Sequence, residues 1–407
     1  MSNLGRRTID SLTERESSGR RVLVRVDYNV PLEGPAGGRR IASDVRIRAT
    51  LPTLRELAAR SAAIVLISHL GRPKGRPDPD LSLRPVADRL EELLERRVVF
   101  LPLLFDDRPL EVVLNARGGE IFLLENLRFE PGETANAPEF ARRLAAFGEF
   151  FVQDAFGSCH RAHASTVGVT AFLDPCVAGR LVERELAAFS RVVDPEPPFI
   201  ALMGGAKVAG KLDTVRGIAE RADRIFLAGG MANTFLLARG VPVGESLAEP
   251  ELTREAGELM ARFGDRLVLP VDVVVAREIA SGAERRTVPV DRVERGWRIL
   301  DVGPRTLRAI DEALQSARTV FWNGPLGVFE TPPFDAGTRA AAKLLAAATD
   351  RGAYTVVGGG DSAAAIEGAG LADRVSHVST GGGAGLELVS GTTLPGITAL
   401  DPPSGGA

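Results

Sequence analysis

The sequence predicts an α/β fold: two domains, each a parallel sheet flanked by helices, joined by a hinge. Three observations carry this. Short apolar runs end abruptly in polar or glycine-rich loops, and a helical stretch follows. The runs are continuously apolar rather than alternating, which marks strands buried on both faces, as in parallel sheets. A proline-rich break, Asp194 to Phe199, divides the runs into two sets of about four. The length of 407 residues suits two or three domains at roughly 100–200 residues each.

In the first set, VLVRV (22–26) leads into Asp27-Tyr28-Asn29, and AAIVLIS (62–68) into His69-Leu70-Gly71-Arg72. EIFLLE (120–125) leads into Asn126-Leu127-Arg128, and EFFVQ (149–153) into Asp154-Ala155-Phe156-Gly157. In the second set, PFIALM (198–203) meets Gly204-Gly205, and RIFLA (224–228) meets Gly229-Gly230. TVFW (319–322) meets Asn323-Gly324-Pro325, and AYTVV (353–357) meets Gly358-Gly359-Gly360-Asp361. Helices fit between. Ile47, Leu51, Leu54 and Leu57 form a helical stripe after a cap at Asp44. Val208, Leu212, Val215, Ile218 and Ala222 do the same after the Gly204-Gly205 loop, which places Lys207 and Lys211 on one helix face. The expected organisation is a first domain over 1–181, a connecting helix and linker over 182–197, and a second domain over 198–390. Residues 391–407 form the tail, and its Pro- and Gly-rich part, Pro395 to Ala407, is expected to be irregular.

Composition narrows the function. The net charge of −3 comes from 50 basic and 53 acidic residues, which gives no reason to expect nucleic acid or a membrane surface as a partner. Two cysteines, Cys159 and Cys176, leave no disulfide framework and no Cys-based zinc site. A polar N-terminus and the lack of an apolar run of about 18 residues predict a soluble, cytoplasmic chain. Nearly all the positive charge is arginine. The four lysines are Lys74, Lys207, Lys211 and Lys343, so a lysine marks a place where a compact ammonium is needed.

The two sets of loops differ in chemistry. The first carries Asp27, Asn29, His69, Arg72, Arg128, His160, Arg161 and His163, with Arg46 opening a helix. On one sheet edge these arginines would repel each other unless an anion joined them, and a small phosphorylated acid fits. The second set carries glycine, whose bare backbone at strand ends and helix N-termini cradles phosphate. Two motifs mislead. Gly205 to Leu212 nearly matches a phosphate-binding P-loop, but Leu212 has no hydroxyl for a metal. Gly358-x-Gly360-x-x-Ala363 imitates a dinucleotide fingerprint, yet the chain is nearly over and no ribose-binding acid follows. A mononucleotide site fits better, with Asp361 placed to hold a metal.

Nine blocks in order resemble the phosphoglycerate kinase family. They are RVDYNVP (25–31), SHLGRP (68–73), LLENLRF (123–129), DAFGSCHRAH (154–163), GGAKVAGK (204–211), GGMANTF (229–235), WNGPLGVFE (322–330), GGGDSA (358–363) and VSTGGGAGLE (378–387). The resemblance implies two Rossmann-like domains and reversible phosphoryl transfer between 1,3-bisphosphoglycerate and MgADP. It also implies a monomer whose C-terminal segment folds back on the first domain. By position it implies a phosphoglycerate site of Asp27, Tyr28, Asn29, Arg46, His69, Leu70, Gly71, Arg72, Arg128, Arg161 and His163. It implies a nucleotide site of Gly204, Gly205, Lys207, Lys211, Gly229, Gly230, Gly303, Asn323, Pro325, Glu330, Gly359, Gly360, Asp361 and Ser362. Arg46 and Lys207 would be catalytic, and Asp361 would face the Mg²⁺ of ATP or ADP. Tyr28, Cys159, Ala228 and Leu326 depart from the usual residues of these blocks, none at a charged position. Two other readings stay open at this point: a dehydrogenase using the Gly358 loop, and a non-catalytic nucleotide-binding scaffold.

Overall fold

The computed structural model describes residues 5–35, 38–60, 63–102 and 107–403. The described chain divides into two compact units, one of residues 5–186 with 393–403, the other of residues 187–392. The division falls inside a single helix, Arg180–Val193.

The first unit is built on six parallel strands: β1 (Arg21–Val26), β2 (Ala63–Ile67), β3 (Val98–Leu101), β4 (Ile121–Leu124), β5 (Phe150–Asp154) and β6 (Cys176–Ala178). Their order across the sheet is β3-β4-β2-β1-β5-β6. Every residue of β2 and β5 is buried, as strands covered on both faces must be. The helix Val45–Ala59 starts after Asp44, as its stripe predicts, and buries Ile47, Leu51, Leu54 and Leu57. Asp44 does not cap it through its side chain; the carboxylate pairs instead with Arg48 and Arg89.

The tail joins this unit. A short helix, Pro395–Thr398, replaces part of the irregular segment expected there. The Gly396 amide donates to Cys159 O at 2.9 Å, and a Cβ on Gly396 would lie 2.9 Å from the Cys159 Cα. Only glycine permits that approach.

The second unit holds β7 (Phe199–Met203), β8 (Arg224–Leu227), β9 (Leu267–Val268), β10 (Asp272–Ala276), β11 (Arg285–Pro289), β12 (Arg298–Val302), β13 (Thr319–Asn323), β14 (Tyr354–Gly358) and β15 (His377–Val378). Six of them form a parallel sheet ordered β9-β8-β7-β13-β14-β15. The other three, β11-β10-β12, form an antiparallel sheet that the sequence reading did not foresee. In each parallel sheet the chain first builds outward in one direction and then returns to build in the other. The reversal lies between β1 and β5 in the first unit and between β7 and β13 in the second. Ligands of open α/β sheets bind outside the carboxyl ends of the strands at that reversal.

One local expectation fails. Lys207 and Lys211 do not share a helix. The helix begins at Leu212, with Lys211 as its N-cap and Lys207 in the preceding loop. Gly205 and Gly210 sit at φ +113° and +72°, in the left-handed region, and break any helix through them. The Val208 and Ala209 amides donate to the Glu249 carboxylate instead.

Candidate functional site

At the first reversal, the loops after β4, β2, β1 and β5 bring the charged residues together. Asp27 is buried, and its Oδ1 lies 3.0 Å from Arg46 Nη1. Burial alone would raise the Asp27 carboxyl, but Arg46 and Arg25 beside it and the Asn29 amide pull it below the usual carboxylate range. The Gly71 amide donates to Asn29 Oδ1 at 2.9 Å, and Arg128 Nη1 donates to Gly71 O at 2.8 Å. Arg161 Nε donates to His160 Nε2 at 2.9 Å, which gives His160 an orienting role. A cavity of about 610 Å³ is lined by Arg72, Lys74, Arg128 and Arg161. Burial, then repulsion from Arg25 and Arg161, pushes the Arg128 guanidinium down to about 10. Such a group of cations is stable only with counter-charge, and the cavity has room for an anion.

The side chains of Tyr28 and Leu70 lie elsewhere, in the hydrophobic core. The Tyr28 hydroxyl meets Thr50 Oγ1 at 2.9 Å, so a phenol at this position is satisfied inside the fold. His163 turns to Glu133, with Nδ1 3.6 Å from Oε1.

Three residues that the sequence reading passed over support this edge. Arg25 is 1 % exposed, although it sits in β1. Its Nε donates to Ser165 Oγ at 2.8 Å and its Nη1 to Val26 O. Ser165 in turn donates to Glu133 Oε1 at 2.6 Å. The available signal was a lone arginine in the run VLVRV, since a charge in a doubly buried strand must be paired. Lys74, also given no role from sequence, lines the cation-rich cavity.

At the second reversal the loops interlock through backbone. The Gly204 amide donates to Asn323 O at 2.8 Å, and that of Gly205 to Pro325 O at 2.9 Å. A Cβ on Gly204 would lie 2.1 Å from Pro325 O, and one on Gly230 2.1 Å from Ala206 O. These loops line one wall of a cavity of about 580 Å³, through Gly205, Gly229, Gly230, Pro325, Glu330 and Asp361. The same cavity is lined by the apolar side chains of Leu247, Val273, Leu300 and Val302, largely from the unforeseen antiparallel sheet. Glycine loops with bare backbone together with apolar side chains suit a nucleotide's phosphates and base. The helix Gly360–Gly368 starts here with no side-chain cap, so its first amides are open to an anion.

Lys211 Nζ donates to Gly204 O at 3.2 Å, and burial lowers its ammonium against the pull of Asp361. Lys207 is exposed and forms no ion pair among the described residues. Ser362 and Asn323 act behind the wall: Ser362 Oγ accepts from Gly324 N, and Asn323 Nδ2 donates to Gly358 O at 2.8 Å. Gly359, at φ +90°, turns the chain into the helix that carries Gly360 and Asp361. Gly303 stands apart from the cavity wall. It is packed on Asp272, whose carboxylate already accepts from Arg305 N and Thr306 N.

Asp301 lines the same cavity and accepts from Gly337 N at 2.7 Å. Burial pushes its carboxyl up from 3.8 to about 7. The native state therefore keeps a proton that the unfolded chain loses above pH 3.8. Its contribution to stability falls as pH rises from there to about 7 and is flat beyond. Asp301→Asn keeps an acceptor for Gly337. Compared with the parent, it should gain relative stability between pH 4 and 8. Denaturant unfolding at the two pH values checks this; an equal difference at both would refute it.

Among the described residues no helix is long and apolar enough to cross a membrane, and no cluster of three or more His, Cys, Asp or Glu could hold a metal ion.

The family model for phosphoglycerate kinase matches residues 12–392. The phosphoglycerate kinase of Chloroflexus aurantiacus strain J-10-fl is 50 % identical over 389 residues, covering 94 % of this chain and 96 % of that one. That of Synechococcus elongatus is 48 % identical over 402 residues, covering 98 % and 99 %. Among solved structures, the phosphoglycerate kinase from Coxiella burnetii superposes with a TM-score of 0.85 at 38 % identity, covering 97 % of this chain and 98 % of that one. The Pyrococcus horikoshii enzyme gives 0.83 at 32 %, with the same coverage. Both parallel sheets, both loop sets and the full-length matches agree: the chain belongs to the phosphoglycerate kinase family.

Proposed function

We propose that the first unit binds phosphoglycerate on its cation-rich edge and that the second binds MgADP or MgATP in its glycine-walled cavity. The family's reaction is reversible transfer of the acyl phosphate of 1,3-bisphosphoglycerate to MgADP, giving 3-phosphoglycerate and MgATP. What supports the assignment is that each sheet's reversal carries the chemistry of one substrate.

Asp27, Asn29, His69, Arg72, Arg128 and Arg161 hold the phosphoglycerate, with His163 set behind them on Glu133 and with Tyr28, Leu70 and Gly71 contributing backbone. Gly204, Gly205, Gly229, Gly230, Pro325, Gly359, Gly360 and Ser362 shape the nucleotide site, with Lys211 on its phosphates and Glu330 on its rim. Gly303 and Asn323 act from behind the wall. In the direction of ATP use the nucleophile is a carboxylate, ionised at neutral pH, so no general base is needed. The reaction needs two anions aligned and the charge of the moving phosphoryl group neutralised. Arg46, Lys207 and the open amides of the Gly360 helix do this. Asp361 is an exposed carboxylate at the cavity, in the first turn of the Gly360 helix. That suits Mg²⁺ arriving on nucleotide phosphates, since the ion usually keeps one or two protein carboxylates and several waters. When bound, the ion would offset phosphate charge.

Each domain holds one substrate, so closure about the 182–197 connector would join them and exclude water. Small-angle scattering should show compaction with 3-phosphoglycerate and a non-hydrolysable MgATP analogue together; an unchanged radius of gyration would refute closure. The deciding assay is the purified protein with 3-phosphoglycerate and MgATP, read as 1,3-bisphosphoglycerate formed. No turnover would overturn the proposal. The readings as a dehydrogenase or an inert scaffold are replaced by this one.

A further inference from the structure

We propose that Arg25, braced by Ser165 and Glu133, fixes His69 as the neutral tautomer with its proton on Nε2. The ring then offers a hydrogen bond to substrate without adding charge to the cluster. The inference rests on the assignment of this edge to phosphoglycerate.

Arg25 Nη2 lies 3.0 Å from His69 Nδ1. A guanidinium has five N–H donors, no acceptor, and does not deprotonate in proteins. The contact is a hydrogen bond only if Nδ1 is the acceptor, so Nδ1 carries no proton. The one remaining ring proton is then on Nε2. His69 is 4 % exposed, and Nε2 makes no hydrogen bond among the described residues. It is an unpartnered donor on an otherwise enclosed ring, and the oxygens of a phosphorylated acid would accept from it.

Arg25 can impose this because it cannot turn away. Its Nε is held by Ser165, its Nη1 by Val26 O, and Ser165 is held by both Glu133 oxygens, through its amide at 3.0 Å and its hydroxyl at 2.6 Å. The charged groups facing the ring come from several elements: Arg25 and Asp27 at the end of β1, Arg46 on the first long helix, and Arg128 after β4. Burial pushes His69 well below the ordinary imidazole value. The three arginines act the same way, against Asp27. A protonated His69 would add a charge where Arg128 is already strained by its neighbours. A neutral donor binds the anion without that repulsion.

The test is nitrogen NMR on the full-length protein with ¹⁵N-labelled imidazoles. The chain has four histidines, so His→Gln variants assign the signals. His69 should show a protonated Nε2 and a bare Nδ1, unchanged between about pH 5 and 8. The opposite tautomer, or an ordinary titration in that range, would overturn the proposal. In Arg25→Met, which removes the donor, folding checked by circular dichroism, His69 should become a tautomer mixture. The KM for 3-phosphoglycerate should rise about tenfold, and that for ATP should stay put. An unchanged His69 signature in that variant would show that Arg25 does not set it. If Arg25→Met does not fold, Ser165→Ala, which frees Nε from its brace, serves the same comparison. The NMR result is read without substrate, so it stands or falls separately from the turnover assay.

Discussion

Replacing Lys207 with alanine should lower kcat by about 10²–10³ while changing either substrate's KM by no more than about threefold. Lys207 is exposed and forms no ion pair among the described residues, so removing it leaves the loop's structure intact. The Gly205 and Gly210 turns and the Glu249 bonds to Val208 and Ala209 hold the loop regardless of the ammonium. An ammonium with no ground-state partner is suited to charge that develops during transfer, and loss of such a contact appears in kcat. Lys211 is the internal control. It is half-buried and tied to Gly204 O, so Lys211→Ala should act mainly on the nucleotide KM. Steady-state kinetics on both variants decide it. A Lys207 variant that changed KM alone would assign that side chain to binding.

The parts of the fold that were legible share one property. The eight apolar runs are the four central strands of each parallel sheet, β4-β2-β1-β5 and β8-β7-β13-β14. Strands buried on both faces have no polar side to break the run. The edges were missed because they lack that signature. β6 has three residues, β9 and β15 have two each, and β3 runs into Pro102 rather than a polar loop. The antiparallel sheet was missed for a related reason: β11 is exposed along most of its length, so it reads as a polar segment.

The site was legible where chemistry must reach solvent or ligand. Charges and glycines at strand ends break the apolar pattern, so they stand out. The same rule hid the supporting network. Glu133 and Ser165 lie in ordinary-looking loops, and Arg25 was absorbed into a strand. Their pairing is a long-range fact, since Arg25 and Ser165 are 140 residues apart. The lysine pair misled because spacing four suggests a helix face, while two left-handed glycines around it override the spacing.

Glu133→Ala should be the costliest single change in the first unit, at about 3–5 kcal/mol. Glu133 is fully buried. Burial would raise its carboxyl, yet the bonds from His163 and Ser165 and the charge of Arg25 hold it below the usual carboxylate range. It is therefore the anion that makes a buried Arg25 tolerable. Without it, Arg25 keeps its charge and loses its nearby counter-charge, while Ser165 and His163 lose an acceptor. A merely space-filling role predicts far less. Glu133→Gln separates the two, because it retains the volume and one acceptor but not the charge. It should recover only a minority of the loss. The sign with pH follows from the lowered value: the stabilisation is complete above about pH 4.5, where the unfolded chain is also ionised, and fades as pH falls through the native value. Denaturant unfolding at neutral pH and near pH 3 should show the gap between parent and variant narrowing in acid. A gap that held constant, or a glutamine variant as stable as the parent, would show that Glu133 does not balance Arg25.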